Sequence, residues 1–396
     1  MLLAFSGGGT RASALAYGVL EELSHTDVAV DGRSIRLLDE VVRISAVSGG
    51  SFTAAYYGLH GDKIFSDFEE TFLRRNVEGD LYKGLLNPRQ WFDSRDRTEM
   101  AIDYYDKHVF HEATFADMIQ PDRPQIIINA TDIGKGVRFS FVQEYFDLLC
   151  SDLSSYPISR AVAASSAVPV LFNPVVVKNH SGCETTRPDW LNTSAKRSKS
   201  SPQLALTAAG LESYLDKENR KYIHFVDGGI SDNLGLRALY DFIGIAGGAK
   251  SALKLINHPS PRRLVIISVN ASASDSHPDM DSNNQPPSVF ELMSSVSRVQ
   301  LSRYNLATLE LIQHHLQRWA EELSNSGRTV IPYFIQLSFK DVKQPDRRTY
   351  LSSIPTSFSL SDEQVDRLIE AGHELLRNNP EYQRLLADLN EDAGKD

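Results

Sequence analysis

The chain of 396 residues is 41% hydrophobic and 23% charged, which predicts a buried core in place of disorder and leaves room for one large α/β domain. Its formal net charge of −10 gives no general attraction to nucleic acid or to an anionic membrane, so nucleic-acid binding is disfavoured and membrane contact needs a local apolar or basic patch. The longest apolar runs, Ala167 to Phe172 and Leu264 to Ile267, are far too short to span a bilayer. The two cysteines, Cys150 and Cys183, match no zinc or redox spacing, and whether they pair is open.

In chain order, Leu2 to Phe5 reads as a core strand and Gly7-Gly8-Gly9 as a turn. A helix then starts near Arg11, with Ala12, Leu15, Ala16, Val19, Leu20 and Leu23 on its buried face. The logic repeats: Val41 to Val47 is strand-like, Ser48-Gly49-Gly50 is the turn, and Phe52, Ala55, Tyr56 and Leu59 form the next helical stripe. Residues 60–122 are predicted to be a helical insertion or lid that walls or covers a site. Strands are expected at Ile126–Asn129 and Val137–Val142, and a small, apolar stretch runs from Arg160 to Phe172. The polar stretch 178–203 predicts a mobile loop. A strand over Ile223–Val226 ends at Asp227-Gly228-Gly229, and another covers Leu264–Val269. A long helix follows from about Val289 to Leu323, then a strand near Val330 to Phe339. Ser361 and Gln364 form a capping box that opens a C-terminal helix over 361–392. Strands alternating with helices predict a largely parallel sheet between helical layers, in a single domain over 1–396.

Ser45-Ala46-Val47-Ser48-Gly49-Gly50 carries the strongest chemical signal. A serine between small residues, at a sharp strand-to-helix turn, is the arrangement of a nucleophile elbow. Small neighbours let the backbone fold tightly and keep the hydroxyl accessible, and the helix that follows aims its N-terminal N–H groups at a developing oxyanion. The plainer reading is a helix cap. Gly7-Gly8-Gly9-Thr10-Arg11 can form an N–H nest for the same oxyanion, with Arg11 pinning the loop or holding an anionic part of a substrate. The competing reading, a nucleotide turn, lacks both the G-x-G-x-x-G and the G-x-x-x-x-G-K-[ST] patterns. Asp227, by itself a common turn residue, ends a strand. At the carboxyl edge of a parallel sheet it would share a rim with Ser48 and the glycine loop.

These motifs, in this order, resemble the patatin-like phospholipases. That family has a glycine-rich oxyanion loop ending in Lys or Arg, a serine elbow, and an Asp-Gly-Gly or Asp-Gly-Ala motif. Ala164-Ser165-Ser166-Ala167-Val168-Pro169 is similar to its Ala-Ser-x-Ala-x-Pro block. The likeness covers residues 2 to 240. Ala46 departs from the usual G-x-S-x-G glycine, which implies a slightly altered turn. The resemblance implies a three-layer α/β/α sandwich and release of acyl chains from lipid esters. It also implies a Ser–Asp dyad without histidine: Ser48 and Asp227 catalytic, Gly7, Gly8, Gly9 and Gly49 at the oxyanion hole, and Arg11 at the substrate.

Physical argument favours the same dyad. The histidines after Asp227, from His258 to His373, lie in polar loops or predicted helices, and His224 precedes the aspartate, so Asp227 acting directly as base is preferred over a Ser–His–Asp triad. The expected function is a lipid acyl-ester hydrolase, with a soluble-ester esterase or a non-catalytic lipid-binding relative as alternatives. No cofactor or metal is expected, and peripheral membrane contact is. The chain opens on a core strand and the family includes secreted and membrane-attached bacterial members. A leader absent from this chain is therefore one expectation and a cytoplasmic protein the other.

Overall fold

The computed structural model describes residues 1–30, 33–80, 97–169, 171–183, 187–192, 201–256, 259–272, 284, 286, 288–325 and 327–393. The first turns of chain are β1 (Leu2–Phe5), α1 (Gly9–Ser24), the hairpin β2 (Asp27–Val30) and β3 (Arg33–Arg36), then β4 (Arg43–Val47) and α2 (Gly49–His60). Next come α3 (Arg97–Tyr105), β5 (Gln125–Asp132), β6 (Val137–Ser140), α4 (Ile158–Ser165), β7 (Val175–Lys178), α5 (Pro202–Glu212), β8 (Tyr222–Val226) and α6 (Leu236–Ala246). β9 (Arg263–Asn270), α7 (Val289–Leu323), β10 (Ile331–Ser338), α8 (Asp362–Arg377) and α9 (Pro380–Ala393) complete the order.

Eight strands form one sheet in the order β10-β9-β1-β4-β5-β8-β7, with β6 paired to β5. The five strands from β10 to β5 run parallel, and β6, β8 and β7 join antiparallel. Period-two alternation sends neighbouring side chains to opposite faces. Leu3, Phe5 and Ile267 accordingly join one buried cluster with Leu15 and Val19 of α1, Phe52 of α2 and Leu368 of α8. Ala4 and Ile266 join the other, with Leu236 and Leu239 of α6 and Ile312, Leu316 and Trp319 of α7. The result is the expected α/β/α sandwich. Because Phe5 pairs in register with Ala46 and Val269, the carboxyl ends of β1, β4 and β9 finish at one edge.

Three expectations change in detail. The C-terminal helix is two helices: the capping box at Ser361 and Gln364 is present, but α8 stops at Arg377 and α9 restarts at Pro380. Proline lacks the N–H a continuing helix needs, and its ring collides with the carbonyl four residues back. The described part of 60–122 builds core: Phe72 stacks on Phe52 of α2 with ring centroids 4.2 Å apart, and Tyr105 meets Phe52 edge-on at 4.9 Å. Its aromatic side chains bury large areas there, which ties these turns to α2. Within 178–203, Lys178 ends β7 and Pro202 opens α5, while residues 184–186 and 193–200 lie outside the described residues. Cys150 and Cys183 form a disulfide, their Cα atoms 5.5 Å apart.

Candidate active site

The elbow follows from β4 feeding α2 with no room for a loop. Ser48 has φ 50° and ψ −124°, a conformation L-residues adopt only under constraint. The constraint is tight packing against the glycine loop. A Cβ on Gly49 would lie 2.0 Å from the Gly9 carbonyl oxygen, so only glycine fits after the serine. Ser48 itself is almost wholly buried, as is Asp227, which leaves β8 at the same sheet edge.

Ser165, near the end of α4, joins these pieces. The Ser48 N–H donates to its Oγ at 2.8 Å, and its hydroxyl donates to the Asn129 carbonyl at 2.6 Å. The Ser51 hydroxyl, 3.0 Å away, is therefore the donor in their shared contact. The Ser165 carbonyl accepts the Gly228 N–H at 3.0 Å, and the Ala167 carbonyl accepts the Asp227 N–H at 2.9 Å. The Ala164–Pro169 block thus holds the serine through one side chain and the aspartate loop through two carbonyls.

The Ser48 side chain lies within electrostatic reach of the Asp227 carboxylate, and the two residues line one groove. Burial lifts the Asp227 carboxyl to about 6, against the opposing pull of the Gly229 N–H, 2.7 Å from Oδ1, and of Ser48. Asp232, five residues on, is likewise raised to about 6 by burial, and its Oδ2 accepts the Ala238 N–H at 3.1 Å.

The glycine loop divides its roles. The Gly7 N–H donates to the Asn233 carbonyl at 3.0 Å, which corrects its expected place in the oxyanion hole: it ties the loop to the aspartate segment. Gly8, Gly9 and Gly49 stand at the starts of α1 and α2, where N–H groups have no intrahelical acceptor. Arg11 lines the groove and is held firmly in place. The residue is 3% exposed, and its guanidinium donates to the Ala271 carbonyl and Thr356 Oγ1, each at 2.9 Å, and to the Ile354 carbonyl. Burial without a carboxylate partner lowers it to about 10. It pins the loop against a segment 343 residues away, where the Ser357 carbonyl also accepts the Thr10 N–H at 2.9 Å.

Ser48 and Asp227 open on a groove of about 1500 Å³. Its walls include Val168 and Leu171 after α4, Ile230 after the aspartate, and Leu301, Leu306 and Leu309 of α7. None of the described residues of 60–122 contributes to them. Nor does any described histidine: His224 sits on β8 paired to Val176, His315 packs on Tyr240 and Trp319, and His373 contacts Glu21. His258 and His277 lie outside the described residues. Among the described residues, no three His, Cys, Asp or Glu side chains are grouped to hold a metal ion.

A serine on a strained elbow thus shares one groove with a buried aspartate and a glycine loop. The family model for patatin-like phospholipases matches residues 3–240. The chain belongs to the patatin-like phospholipase family. No curated protein sequence matches it. Among solved structures it is similar to human GIVD cytosolic phospholipase A2 in complex with methyl gamma-linolenyl fluorophosphonate, at 12% identity and a TM-score of 0.43. That match covers 99% of this chain and 59% of the other, so the chain spans well under two thirds of that relative's length.

Sequence reasoning singled out the Ala164–Pro169 block without seeing that Ser165 reaches the Ser48 N–H. It missed Asn233 and the 354–357 segment altogether. Asn233 follows the Asp-Gly-Gly turn closely enough to have been found; nothing local marks Ser357.

Proposed function

We propose that this protein is a lipid acyl-ester hydrolase working through a Ser48–Asp227 dyad. The observation that carries the reading is that Ser48, on its strained elbow, and the buried Asp227 line one groove, with burial lifting the carboxylate to about 6. Such a carboxylate is a stronger base than an ordinary aspartate and is still mostly ionised at neutral pH. Asp227 takes the Ser48 proton as Oγ attacks the ester carbonyl, and the N–H groups of Gly8, Gly9 and Gly49 hold the oxyanion. The protonated Asp227 then gives its proton to the departing alkoxide oxygen. In the second half, Asp227 takes a proton from water as it attacks the acyl-enzyme, then gives that proton to the departing Ser48 Oγ, releasing the fatty acid and regenerating free Ser48 and ionised Asp227.

A carboxylic acid suits an alkoxide leaving group better than an amine, which favours esters over peptides. The groove supports a lipid substrate: its volume and the leucines along it suit an acyl chain. No helix among the described residues is long and apolar enough to cross a membrane.

The test is labelling with an alkyl fluorophosphonate, with the adduct located by mass spectrometry. An adduct on Ser48, absent in Ser48→Ala and strongly reduced in Asp227→Asn, is the expected result. Ester turnover surviving in Ser48→Ala would overturn the assignment.

A further inference from the structure

Helix α7 changes character along its 35 residues, which span about 52 Å. In its C-terminal half the apolar residues are buried: Ile312, Leu316, Trp319 and Leu323 fill the core beneath the sheet. In its N-terminal half four of the described apolar residues face outward. Leu292 is 52% exposed, Val296 54%, Val299 51% and Leu306 54%. With Arg303, these residues fall at i, i+4, i+7, i+11 and i+14, a single line along the helix. Continued toward the C-terminus, the same line carries Glu310, Gln317 and Glu321, all exposed, as the solvent face of a surface helix should. The apolar stripe is therefore confined to the half of α7 that flanks the groove.

The stripe joins the groove directly. Leu306 belongs to both, and Leu171 and Ile230, also exposed, line the groove. Its charge is equally local. From Leu292 to Leu309 the chain has Arg298 and Arg303 and no Asp or Glu, although the whole chain carries −10. Outward leucine and valine interleaved with arginine is the composition of a helix that lies in a membrane interface. The apolar side chains enter the acyl boundary while the arginines meet anionic headgroups.

We propose that the N-terminal half of α7 is a docking helix for an anionic phospholipid surface, seating the mouth of the groove where lipid can enter it. This rests on the lipid-ester reading for its purpose, though not for its test. Binding is measured by co-sedimentation with vesicles of phosphatidylcholine alone and with added phosphatidylglycerol, in a Ser48→Ala background so that turnover cannot alter the vesicles. The variants are L292Q/V296Q/V299Q and Arg303→Glu, at exposed positions outside the groove lining. Hydrolysis of a short soluble ester by the same variants with Ser48 intact reports that the fold and the catalytic centre survive.

The parent is expected to bind vesicles containing phosphatidylglycerol more tightly than phosphatidylcholine alone. The triple variant should lose about tenfold or more in partitioning, and Arg303→Glu should lose most of the anionic preference. Soluble-ester turnover should stay within about twofold of the parent's in each variant, since no substituted side chain reaches the groove. Parent binding to neither vesicle, or a triple variant that binds like the parent, would overturn the proposal. So would a parent that is dimeric in light scattering and becomes monomeric only in the triple variant without a change in vesicle binding, because the stripe would then cover a second copy. Stripe-dependent vesicle binding without any ester turnover would sustain the docking surface while removing the hydrolase reading.

Discussion

The Ser165 hydroxyl accepts the N–H of Ser48 at 2.8 Å. The bond fixes the peptide plane that carries Ser48, and the Ser165 carbonyl fixes Gly228 next to Asp227. Ser165→Ala leaves the buried Ser48 N–H without an acceptor, at a cost of about 1–3 kcal/mol. The expected kinetic signature is a kcat lowered about tenfold or more with KM little changed, since positioning of the reacting oxygen and not substrate contact is lost. Steady-state kinetics on a soluble ester checks this. A lower Tm with unaltered kcat would reduce Ser165 to a purely structural residue.

Asp227 predicts a pH dependence with two faces. In its proposed role as base it must be ionised, so kcat/KM should rise with pH through a midpoint near 6 and level off above it. Stability runs the other way. The folded-state value lies above the unfolded one of 3.8, so the native protein binds more protons between about 4 and 6, and the stability this group contributes is lost as pH rises through 6. Asp227→Asn removes that penalty. It should be inactive yet more stable than the parent at pH 7, by about 1–3 kcal/mol. Thermal melts at pH 5 and pH 7 give the answer, and an Asn variant no more stable than the parent at pH 7 would contradict it.

The elbow conformation of Ser48 should appear as a difference between two inactive variants. At φ 50° an alanine keeps the strain and a glycine relieves it. Ser48→Gly is therefore expected to be more stable than Ser48→Ala by about 1 kcal/mol. Chemical denaturation of the pair measures this, and equal midpoints would mean the turn is not strained.

Arg11 separates a pin from a substrate contact. If it pins, Arg11→Ala frees the Ala271 and Ile354 carbonyls and loosens the oxyanion loop. Tm should fall and turnover of neutral and anionic esters should drop together. If it binds the substrate, only the anionic ester should show a raised KM. Parallel kinetics on a neutral ester and an anionic phospholipid in detergent distinguishes the two.

Much of this molecule was readable before folding. Leu2–Phe5, Val41–Val47 and Leu264–Val269 announced themselves as strands because buried parallel strands are short apolar runs. The span of α7 was legible because a periodic stretch without glycine or proline has nothing to stop it. Ser48, Asp227 and the glycine loop stood out because sharp turns at strand ends demand small residues, and that demand is local.

What the sequence by itself determined is the set of elements and the side chains able to do chemistry, since propensity, periodicity and turn geometry act between near neighbours. The tertiary structure alone decided their partnerships: Gly7 giving its N–H to Asn233, Arg11 buried against Ile354, Ser165 clasping Ser48, and α7, in place of the described residues of 60–122, along the groove. Those contacts join residues tens to hundreds of positions apart. They come from burying apolar faces and satisfying the polar groups carried inside with them, and no local pattern encodes which distant carbonyl will be there to receive them.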